Sequence, residues 1–198
     1  MKIIIVGATG TLGSKVTDAF SKEHEVIKVG SKSGDYQVDI TDEDAVEKFF
    51  KKVGAFDALV SVTGSAHFGP LETMTLNDFR KGIDSKLMGQ VNLVLTGQHY
   101  INPKGSFTLT SGILSEDPIR NGVNLGTVNG GINGFVVSAA VELTNDVRIN
   151  AVSPGVVEDS PGFFPFFPGH IPVTMDRMVQ GYIKSVLGAI TGQVIKIF

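Results

Sequence analysis

The sequence has no cysteine and only four histidines. Without cysteine the chain cannot form disulfide bonds or thiolate metal sites. The histidines are scattered, and no two have the short spacing of paired metal ligands: they are His24, His67, His99 and His170. We therefore expect no metal site.

Positive charge and long apolar runs are also scarce. The formal net charge is -3 and the isoelectric point is near 5.8, whereas a nucleic-acid-binding domain usually carries a basic stripe. No apolar run approaches the length of a bilayer span, and the stretch before Gly7 is too short for a secretory signal. We expect a cytoplasmic protein with no nucleic-acid or membrane partner. Its 198 residues and 42% hydrophobic content suit one domain over residues 1–198.

The N-terminal segment carries the strongest motif. The β-branched run from Ile3 to Val6 predicts a strand, and apolar residues at helical spacing follow the next turn. The turn between them reads Gly7-Ala8-Thr9-Gly10-Thr11-Leu12-Gly13. A strand, a glycine-rich turn and a helix in this order predict a phosphate-binding loop, because free N–H groups and the positive end of the helix dipole face an anion there. An ordinary strand–helix turn is the alternative.

Strand and helix patterns alternate along the rest of the chain. Long helices are predicted at about 76–99 and 124–143. Three of the predicted strands end in a short glycine-containing segment: Thr63-Gly64, Ser111-Gly112 and Pro154-Gly155. The link from Gly30 to Asp35 is too short for a crossover helix, so we expect a loop there. The alternation predicts an α/β fold with one doubly wound parallel sheet, helices on both faces and ligands at the carboxyl ends of the strands.

In this order the motifs resemble those of the short-chain dehydrogenase/reductase superfamily over almost the whole chain. The matching segments are the glycine-rich turn, an adenine-contacting aspartate, a counterpart of the Asn-Ala-Gly motif, a serine after the fifth strand and a Pro-Gly after the sixth: Gly7–Gly13, Val38–Ile40, Thr63–Gly64, Ser111 and Arg148–Gly155. The resemblance implies a single-domain Rossmann fold with strand order 3-2-1-4-5-6-7. It also implies an oxidoreductase that uses a nicotinamide dinucleotide for hydride transfer.

The same resemblance implies a set of cofactor-binding residues. They are Gly7, Thr9, Gly10, Thr11, Leu12, Gly13, Ser31, Lys32, Asp39, Ile40, Thr63, Gly64, Pro154, Gly155 and Val157. NAD(H) sites place an acidic residue at the end of the second strand, whereas a 2′-phosphate needs cations there. Ser31 and Lys32 occupy this place, with no acid before Asp35, so we predict NADP(H) rather than NAD(H).

The catalytic tyrosine and lysine of the family are missing. Their positions, in the helix after the serine, fall on Leu125 and Asn129, and the family's asparagine in the preceding long helix falls on Lys86. One hypothesis is an enzyme in which Ser111 polarises the substrate oxygen and Lys86 supplies positive charge opposite Asn129. Water, His67 or the Ser111 hydroxyl would then deliver the proton. The other hypothesis is a sensor or interaction protein that binds the dinucleotide without turnover.

The resemblance also suggests a lid and an assembly. Residues 156–173 are rich in Phe and Pro and are expected to form a mobile lid over an apolar pocket for a small hydrophobic or aromatic carbonyl or alcohol. Six residues are expected to line that pocket: His67, Phe68, Phe163, Phe164, Phe166 and Phe167. The helices at about 76–99 and 124–143 are expected to pair with a second copy, which gives a homodimer or homotetramer.

Each candidate residue also has a simpler interpretation. Ser111 could be a turn serine, Lys86 a solvated surface charge, and Asn129 a hydrogen-bond partner of a neighbouring helix or water. Asp39 could cap the following helix, and His67 could be an ordinary loop residue. The phenylalanines of the lid could simply pack in the core.

Overall fold

A computed structural model describes all 198 residues. It contains seven strands in one sheet, and every neighbouring pair is parallel. In chain order the strands are β1 Lys2–Val6, β2 Glu25–Gly30, β3 Tyr36–Gln37, β4 Phe56–Ser61, β5 Ile101–Thr110, β6 Arg148–Pro154 and β7 Val194–Ile197. Their order across the sheet is β3-β2-β1-β4-β5-β6-β7. The predicted single-domain Rossmann fold and strand order are confirmed.

Helices cover both faces of the sheet. They are α1 Thr11–Phe20, α2 Glu43–Val53, α3 Leu76–Gly82, α4 Gly89–Gly97, α5 Val123–Ala139 and α6 Met175–Leu187. Side chains of α1 and α6 pack into the core on one face, and those of α2, α4 and α5 pack into the core on the other. The sheet is therefore doubly wound.

Strand β1 lies in the middle of the sheet, between β2 and β4. Ile4 and Val6 pack into one core, and Ile3 and Ile5 pack into the other. A strand that is covered on both faces needs no alternation of apolar and polar residues. This explains why the segment before the glycine-rich turn is an unbroken apolar run.

The link between β2 and β3 is a loop, as the sequence predicted. Asp35 closes it, because its N–H donates to the Lys28 carbonyl at 2.8 Å and its carboxylate accepts from the Lys28 N–H at 2.8 Å. Gly34 has a φ of +106°, a conformation that side-chain-bearing residues rarely adopt. The loop therefore makes a tight return into β3 without a crossover helix.

The first long helix differs from the prediction of a continuous helix over 76–99. A π-helical segment, Ile83–Met88, separates α3 from α4, and α4 ends at Gly97. Such wide turns are rare within helices and often mark functional sites. Lys86 lies within this segment.

The helix boundaries near two other predicted features also differ. Helix α5 ends at Ala139 and not near residue 143. Asp42 caps α2, with its carboxylate accepting from the Ala45 N–H at 3.1 Å. Asp39 instead accepts from the N–H and the hydroxyl of Thr41, at 2.9 and 2.7 Å. The alternative interpretation of Asp39 as a helix cap is therefore wrong.

Candidate functional site

A cleft of about 530 Å³ opens at the carboxyl ends of β1, β2 and β4. Nine of the predicted cofactor-binding residues line it: Gly7, Thr9, Gly10, Ser31, Lys32, Asp39, Ile40, Thr63 and Gly64. The remaining lining residues were not predicted: Val6, Gly30, Ser33, Val38, Thr41, Val62, Ser65 and Ser85. Several of these are hydroxyl residues directly beside predicted ones, and this adjacency was the signal that could have found them.

The glycine-rich turn brings the N-terminus of α1 to this cleft. Gly7 has a φ of +84°, and a Cβ built on it would lie 2.4 Å from the Val62 carbonyl oxygen. A Cβ built on Gly13 would lie 1.9 Å from the Gly7 carbonyl oxygen. Any larger residue at either position would push the turn away from β4 or from the helix. The predicted Thr11 and Leu12 form the first turn of α1 with Gly13 and do not line the cleft.

The first turn of α1 keeps its backbone donors free of a side-chain partner. Gly10 is the N-cap residue, and no side chain accepts a hydrogen bond there. An anion placed at this end would meet those N–H groups and the positive end of the helix dipole. The geometry is therefore that of a phosphate-binding turn.

The loop after β2 supplies a second polar wall. Ser31, Lys32 and Ser33 all line the cleft, and the Ser33 hydroxyl lies 2.8 Å from the Thr9 hydroxyl across it. Asp35 turns back onto Lys28 and is not part of the lining. The charged side chains in the cleft are thus Lys32 and Asp39.

Asp39 stays ionised at neutral pH. The hydroxyl and the N–H of Thr41 both donate to its carboxylate, which lowers the pKa of Asp39. A carboxylate that already accepts two hydrogen bonds favours its charged form. The cleft therefore carries one fixed negative charge beyond the end of β3.

Lys86 lies behind the predicted Thr63–Gly64 segment. A Cβ built on Gly64 would lie 2.6 Å from the Lys86 Cα and 2.9 Å from its Cβ and Cγ. The side chain is partly buried, and its Nζ makes no hydrogen bond or ion pair with any protein group. Burial lowers the pKa of Lys86 to about 8. The lysine is thus partly enclosed and not a freely solvated surface charge.

The residue before Lys86 joins the cleft wall. The Ser85 hydroxyl accepts from the N–H and the hydroxyl of Ser65, at 3.0 and 3.1 Å. The carbonyl of Lys86 accepts from the buried amide of Gln90 at 3.0 Å, and Gln90 also pairs with the backbone of Thr110. These contacts tie the π-helical segment to the ends of β4 and β5.

Ser111 and Asn129 lie close together at the end of β5. Both are only 2% exposed, and a Cβ built on Gly112 would lie 2.8 Å from the Asn129 amide nitrogen. The Ser111 hydroxyl and the Asn129 amide oxygen have no protein hydrogen-bond partner. Lys86 makes no hydrogen bond with either residue. The structure thus places Asn129 beside the serine segment without joining Lys86 to it directly.

A separate apolar cavity of about 230 Å³ lies under the segment 156–173. Its lining includes Leu125, the residue that the sequence resemblance predicts at the position of the family's tyrosine, one helical turn before Asn129. The other lining residues come from the loops after β4 and β5 and from the chain after β6: Phe68, Leu114, Ile119, Gly155, Val156, Val157, Ser160, Phe163 and Phe167. Leu114 and Ile119 were not predicted, because nothing in the sequence separates them from core residues.

The predicted pocket residues are only partly brought together. Phe68 packs edge-on against Phe163 and Phe166, with ring centroids 6.3 and 5.0 Å apart. Phe166 and Phe164 do not line the cavity, and Phe164 is half-buried. These edge-on aromatic pairs stabilise the packing of the segment 156–173 against the loop after β4. Three of the six predicted residues therefore line the apolar cavity.

His67 points elsewhere. The Nδ1 atom of His67 lies 3.7 Å from an oxygen of Asp78, and the backbone N–H of His67 donates to the Asn124 side chain at 2.8 Å. Asn124 is fully buried and also donates to the Phe79 carbonyl at 2.8 Å. Asn124 therefore holds the loop after β4 between α3 and α5, a role that its place at the start of a helix did not reveal.

The predicted residues after β6 lie at the apolar cavity. Pro154 ends the strand, and Gly155 and Val157 line the apolar cavity and not the polar cleft. An isolated β-bridge joins Val157 to Val173. This bridge holds the two ends of the Phe/Pro-rich segment together at its base.

A comparison with known protein families shows to which family the chain belongs. The sequence model of the family described as enoyl-(acyl carrier protein) reductase matches residues 7–162, which is most of the chain. The chain belongs to the short-chain dehydrogenase/reductase superfamily. It thus has the oxidoreductase fold of that superfamily.

Several relatives of this short-chain dehydrogenase/reductase are known. General stress protein 39 of Bacillus subtilis is 27% identical over 154 residues, which cover 76% of this chain and 51% of that protein. The chain therefore spans about half the length of that relative. An uncharacterised oxidoreductase of Methylorubrum extorquens is 21% identical over 178 residues, which cover 78% of this chain and 72% of the relative.

Solved structures agree in fold. A Listeria innocua protein, lin1944, is 47% identical with a TM-score of 0.98, and both chains are covered completely. A small-chain dehydrogenase in complex with NADPH is 26% identical with a TM-score of 0.89, covering 100% of this chain and 96% of that one. The second structure has a nicotinamide dinucleotide on the same architecture.

Two further features bear on this short-chain dehydrogenase/reductase. No group of His, Asp or Glu side chains has an arrangement that could hold a metal ion. None of the helices is both long enough and apolar enough to cross a bilayer.

Proposed function

We propose that the chain is an NADP(H)-dependent oxidoreductase that transfers hydride to or from a small apolar carbonyl or alcohol. The observation that carries the proposal is the juxtaposition of two sites. The loop after β4 lines both, because Thr63, Gly64 and Ser65 line the polar cleft and Phe68 lines the apolar cavity. Leu125, which also lines the cavity, lies one helical turn before Asn129. A dinucleotide in the cleft would carry its nicotinamide ring toward the boundary between the two sites.

The loop after β2 supports NADP(H) as the cofactor. Lys32 and the hydroxyls of Ser31 and Ser33 line the cleft where the adenosine ribose would lie. Asp35, the first acid after β2 in the sequence, is held on the Lys28 backbone and does not line the cleft. A cation with hydroxyl donors suits a 2′-phosphate better than two ribose hydroxyls. The 26% identical dehydrogenase with bound NADPH is consistent with this choice.

In the proposed reaction Ser111 polarises the substrate oxygen, with Asn129 beside it and Lys86 as the nearby positive charge. At neutral pH Lys86 remains mostly protonated, because its pKa of about 8 lies above 7. Without the family's tyrosine, no protein acid with a pKa matched to proton transfer contacts Ser111. The loss of a positioned acid typically lowers the rate by about 10²–10⁴-fold, so we expect slow turnover.

The apolar cavity indicates the substrate class. Most of its lining side chains are aliphatic or aromatic, and no charged residue lines it. We propose residues 156–173 as the lid, with Phe163 and Phe167 facing the substrate. The lining favours benzaldehyde, hexanal or cyclohexanone over sugars and 2-oxo acids, because a carboxylate or polyol would be desolvated there without partners.

A binding-only protein is the alternative proposal. Leu125 favours it, because an aliphatic side chain at the tyrosine position cannot transfer a proton. The test is to measure NADPH oxidation with the carbonyls named above and NADPH binding by calorimetry. Turnover supports the enzyme. Tight binding without turnover for any carbonyl supports the alternative.

We also propose that two copies pair through the helices at 76–97 and 123–139, as a homodimer or within a homotetramer. On α5, Val137 is 54% exposed, and a Cβ built on Gly130 or Gly134 would meet no atom within 4 Å. Val141, just after the helix, is 84% exposed. Small and apolar residues on an open helix face allow close helix–helix packing. The cytoplasmic location stays a prediction.

A further inference from the structure

Four buried polar atoms near the end of β5 have no protein partner. They are the hydroxyls of Ser111 and Ser153 and the amide oxygens of Asn129 and Asn133. A buried polar group without a hydrogen bond is costly, and native proteins rarely leave one without protein or water. The only other such atom in the chain is the Ser61 hydroxyl on β4.

Strand alternation places both serines on the same face of the sheet. Thr108 and Thr110 of β5 direct their hydroxyls to Ser185 and Tyr182 of α6, at 2.6 and 2.8 Å. Leu109 packs in the opposite core, under α5, so that Ser111 two residues later lies on the α5 face as well.

The same argument applies to the neighbouring strand. In the β5–β6 register Leu109 pairs with Ala151, which packs in the same core. Ser153 follows Ala151 by two residues, and the Ser111 N–H donates to the Val152 carbonyl at 2.9 Å. Ser111 and Ser153 are therefore neighbours at the ends of β5 and β6, both under α5.

Helix α5 presents the two asparagines to this end of the sheet. Asn129 and Asn133 are four residues apart, and so they lie on one helix face. The Asn133 amide nitrogen donates to the Ser115 hydroxyl at 3.1 Å, and that hydroxyl donates to the Gly112 carbonyl at 3.0 Å. Because the Asn133 amide nitrogen is the donor in this pair of hydrogen bonds, the Asn133 amide oxygen remains available as an acceptor. The Asn129 amide adjoins Gly112 directly.

We propose that these four groups form an internal water-binding site beside Ser111, and that its water supplies the proton that the family's tyrosine would otherwise deliver. Water suits the site because two hydroxyls and two amide oxygens can share donors and acceptors with it. The inference rests on the proposed reductase function. It assigns positioning roles to Asn133 and Ser153, which the family resemblance did not single out.

The proposed step balances as follows. Hydride leaves the nicotinamide C4 of NADPH and forms the new C–H bond at the carbonyl carbon, which yields NADP⁺. The substrate oxygen takes a proton from the Ser111 hydroxyl as the carbonyl π bond breaks. Ser111 recovers a proton from the bound water, and bulk solvent returns one to the water. The carbonyl is reduced to the alcohol, and the serine is unchanged.

The first test asks whether the site holds water, whatever the activity. A crystal structure at a resolution that resolves ordered solvent should show water within hydrogen-bond distance of Ser111 Oγ and at least one of the other three atoms. In Asn133→Leu that water should be lost or displaced. Side chains that instead pair with one another and leave no water would overturn the site.

The second test asks whether the water moves a proton. With benzaldehyde and NADPH, Ser153→Ala and Asn133→Leu should lower kcat by about tenfold or more and increase its solvent deuterium isotope effect, because proton delivery then limits the rate more, with unchanged NADPH affinity. Thr127→Ala, an exposed position on the same helix, is the control and should change none of these. The Ser153→Ala variant is small enough to fold if Asn133→Leu does not.

The outcomes separate the two proposals. Unchanged kcat and isotope effect in both variants would overturn proton delivery while leaving the reductase function intact. If the wild-type chain turns over no carbonyl of the panel, the reductase function and the proton role both fail. The crystallographic result then decides the water-binding site alone.

Discussion

Gly64 lies directly against Lys86, so closely that a Cβ at Gly64 would be 2.6 Å from the Lys86 Cα. The glycine follows β4 and lines the polar cleft, and the lysine lies in the π-helical segment between α3 and α4. Gly64 also has a φ of +109°. A single contact thus joins the wall of the proposed cofactor site to Lys86, the lysine that we expected opposite Asn129.

We predict that Gly64→Ala will destabilise the fold and weaken dinucleotide binding. The left-handed backbone costs an alanine about 1–3 kcal/mol, and displacement of the Lys86 segment adds to this. Gly130→Ala is the matched control, because a Cβ there meets nothing within 4 Å. Inside α5 it should raise the free energy of unfolding by about 0.5–1 kcal/mol in the monomeric state. Urea unfolding and NADPH titration measure both effects. Equal stabilities of Gly64→Ala and wild type would contradict the contact.

We predict that Lys86→Met will lower any carbonyl turnover by about 10²-fold or more while NADPH affinity changes little. The reason is that the positive charge near the reacting oxygen is lost, whereas the glycine-rich turn that holds the phosphates is untouched. Lys81→Met is the control, since that lysine is exposed and pairs with Asp78 on the surface. If Lys86→Met keeps full activity, Lys86 is a partly buried structural residue and takes no part in the reaction.

We predict that the free energy of unfolding will depend on pH through the protonation of Lys86. Burial lowers the pKa of Lys86 from 10.5 to about 8, so the folded chain loses this proton at a lower pH than the unfolded chain does. Between these pH values the unfolded state binds more protons, and the Lys86 contribution to stability rises with pH. In cofactor-free protein the penalty of Lys86 relative to Lys86→Met should be full below pH 8 and fade toward pH 10.5. Calorimetric melting of both proteins across this range tests it, and a constant difference would refute a lowered pKa.

We predict that Lys32→Ala will weaken NADP(H) binding about tenfold or more and leave NAD(H) binding nearly unchanged. The lysine lines the cleft beside Ser31 and Ser33, where only the 2′-phosphate would need its charge. Lys28→Ala, a lysine of the same strand region outside the cleft lining, is the control. Dissociation constants for both cofactors decide the matter. Wild-type protein that binds NAD(H) as tightly as NADP(H) would exclude the proposed preference.

We predict that the wild-type chain will be at least a dimer at micromolar concentration. Gly134→Glu and Val137→Glu should convert it to a monomer, because each places a charge on the open face of α5. Sedimentation equilibrium measures the mass, and far-ultraviolet circular dichroism checks that the variants stay folded. Leu187→Glu, an exposed residue at the end of α6, is the control that should leave the mass unchanged. A wild-type monomer would exclude the proposed assembly.

Local patterns were enough to predict most of the fold and the glycine-rich turn that lines the cleft. The apolar run of β1, the glycines of the turn and the amphipathic α1 are consecutive in the chain, so their geometry follows from neighbours in sequence. The predicted residues around Asp39 and Thr63 came from the resemblance to the superfamily, and those around Ser31 came from the rule for the residue that ends the second strand. The sequence therefore predicts the position of a residue well where its surroundings are formed by its own strand and turn.

Contacts between distant segments decided the rest. The π-helical segment around Lys86 cannot be distinguished from an α-helix by apolar spacing, and its contact with Gly64 joins residues that are far apart in the chain. The sequence left His67 as a candidate proton donor and pocket residue. The structure shows that it contacts Asn124 and Asp78 and does not line the apolar cavity. Ser153 and Asn133 acquire a common neighbourhood with Ser111 only when β6 pairs with β5 and α5 covers both. By itself the sequence determined the doubly wound parallel sheet and the glycine-rich turn, because these depend on local pattern, and its resemblance to the superfamily implied the strand order. Only the tertiary structure decided which polar groups face one another beneath α5, because burial without a partner is a property of packing.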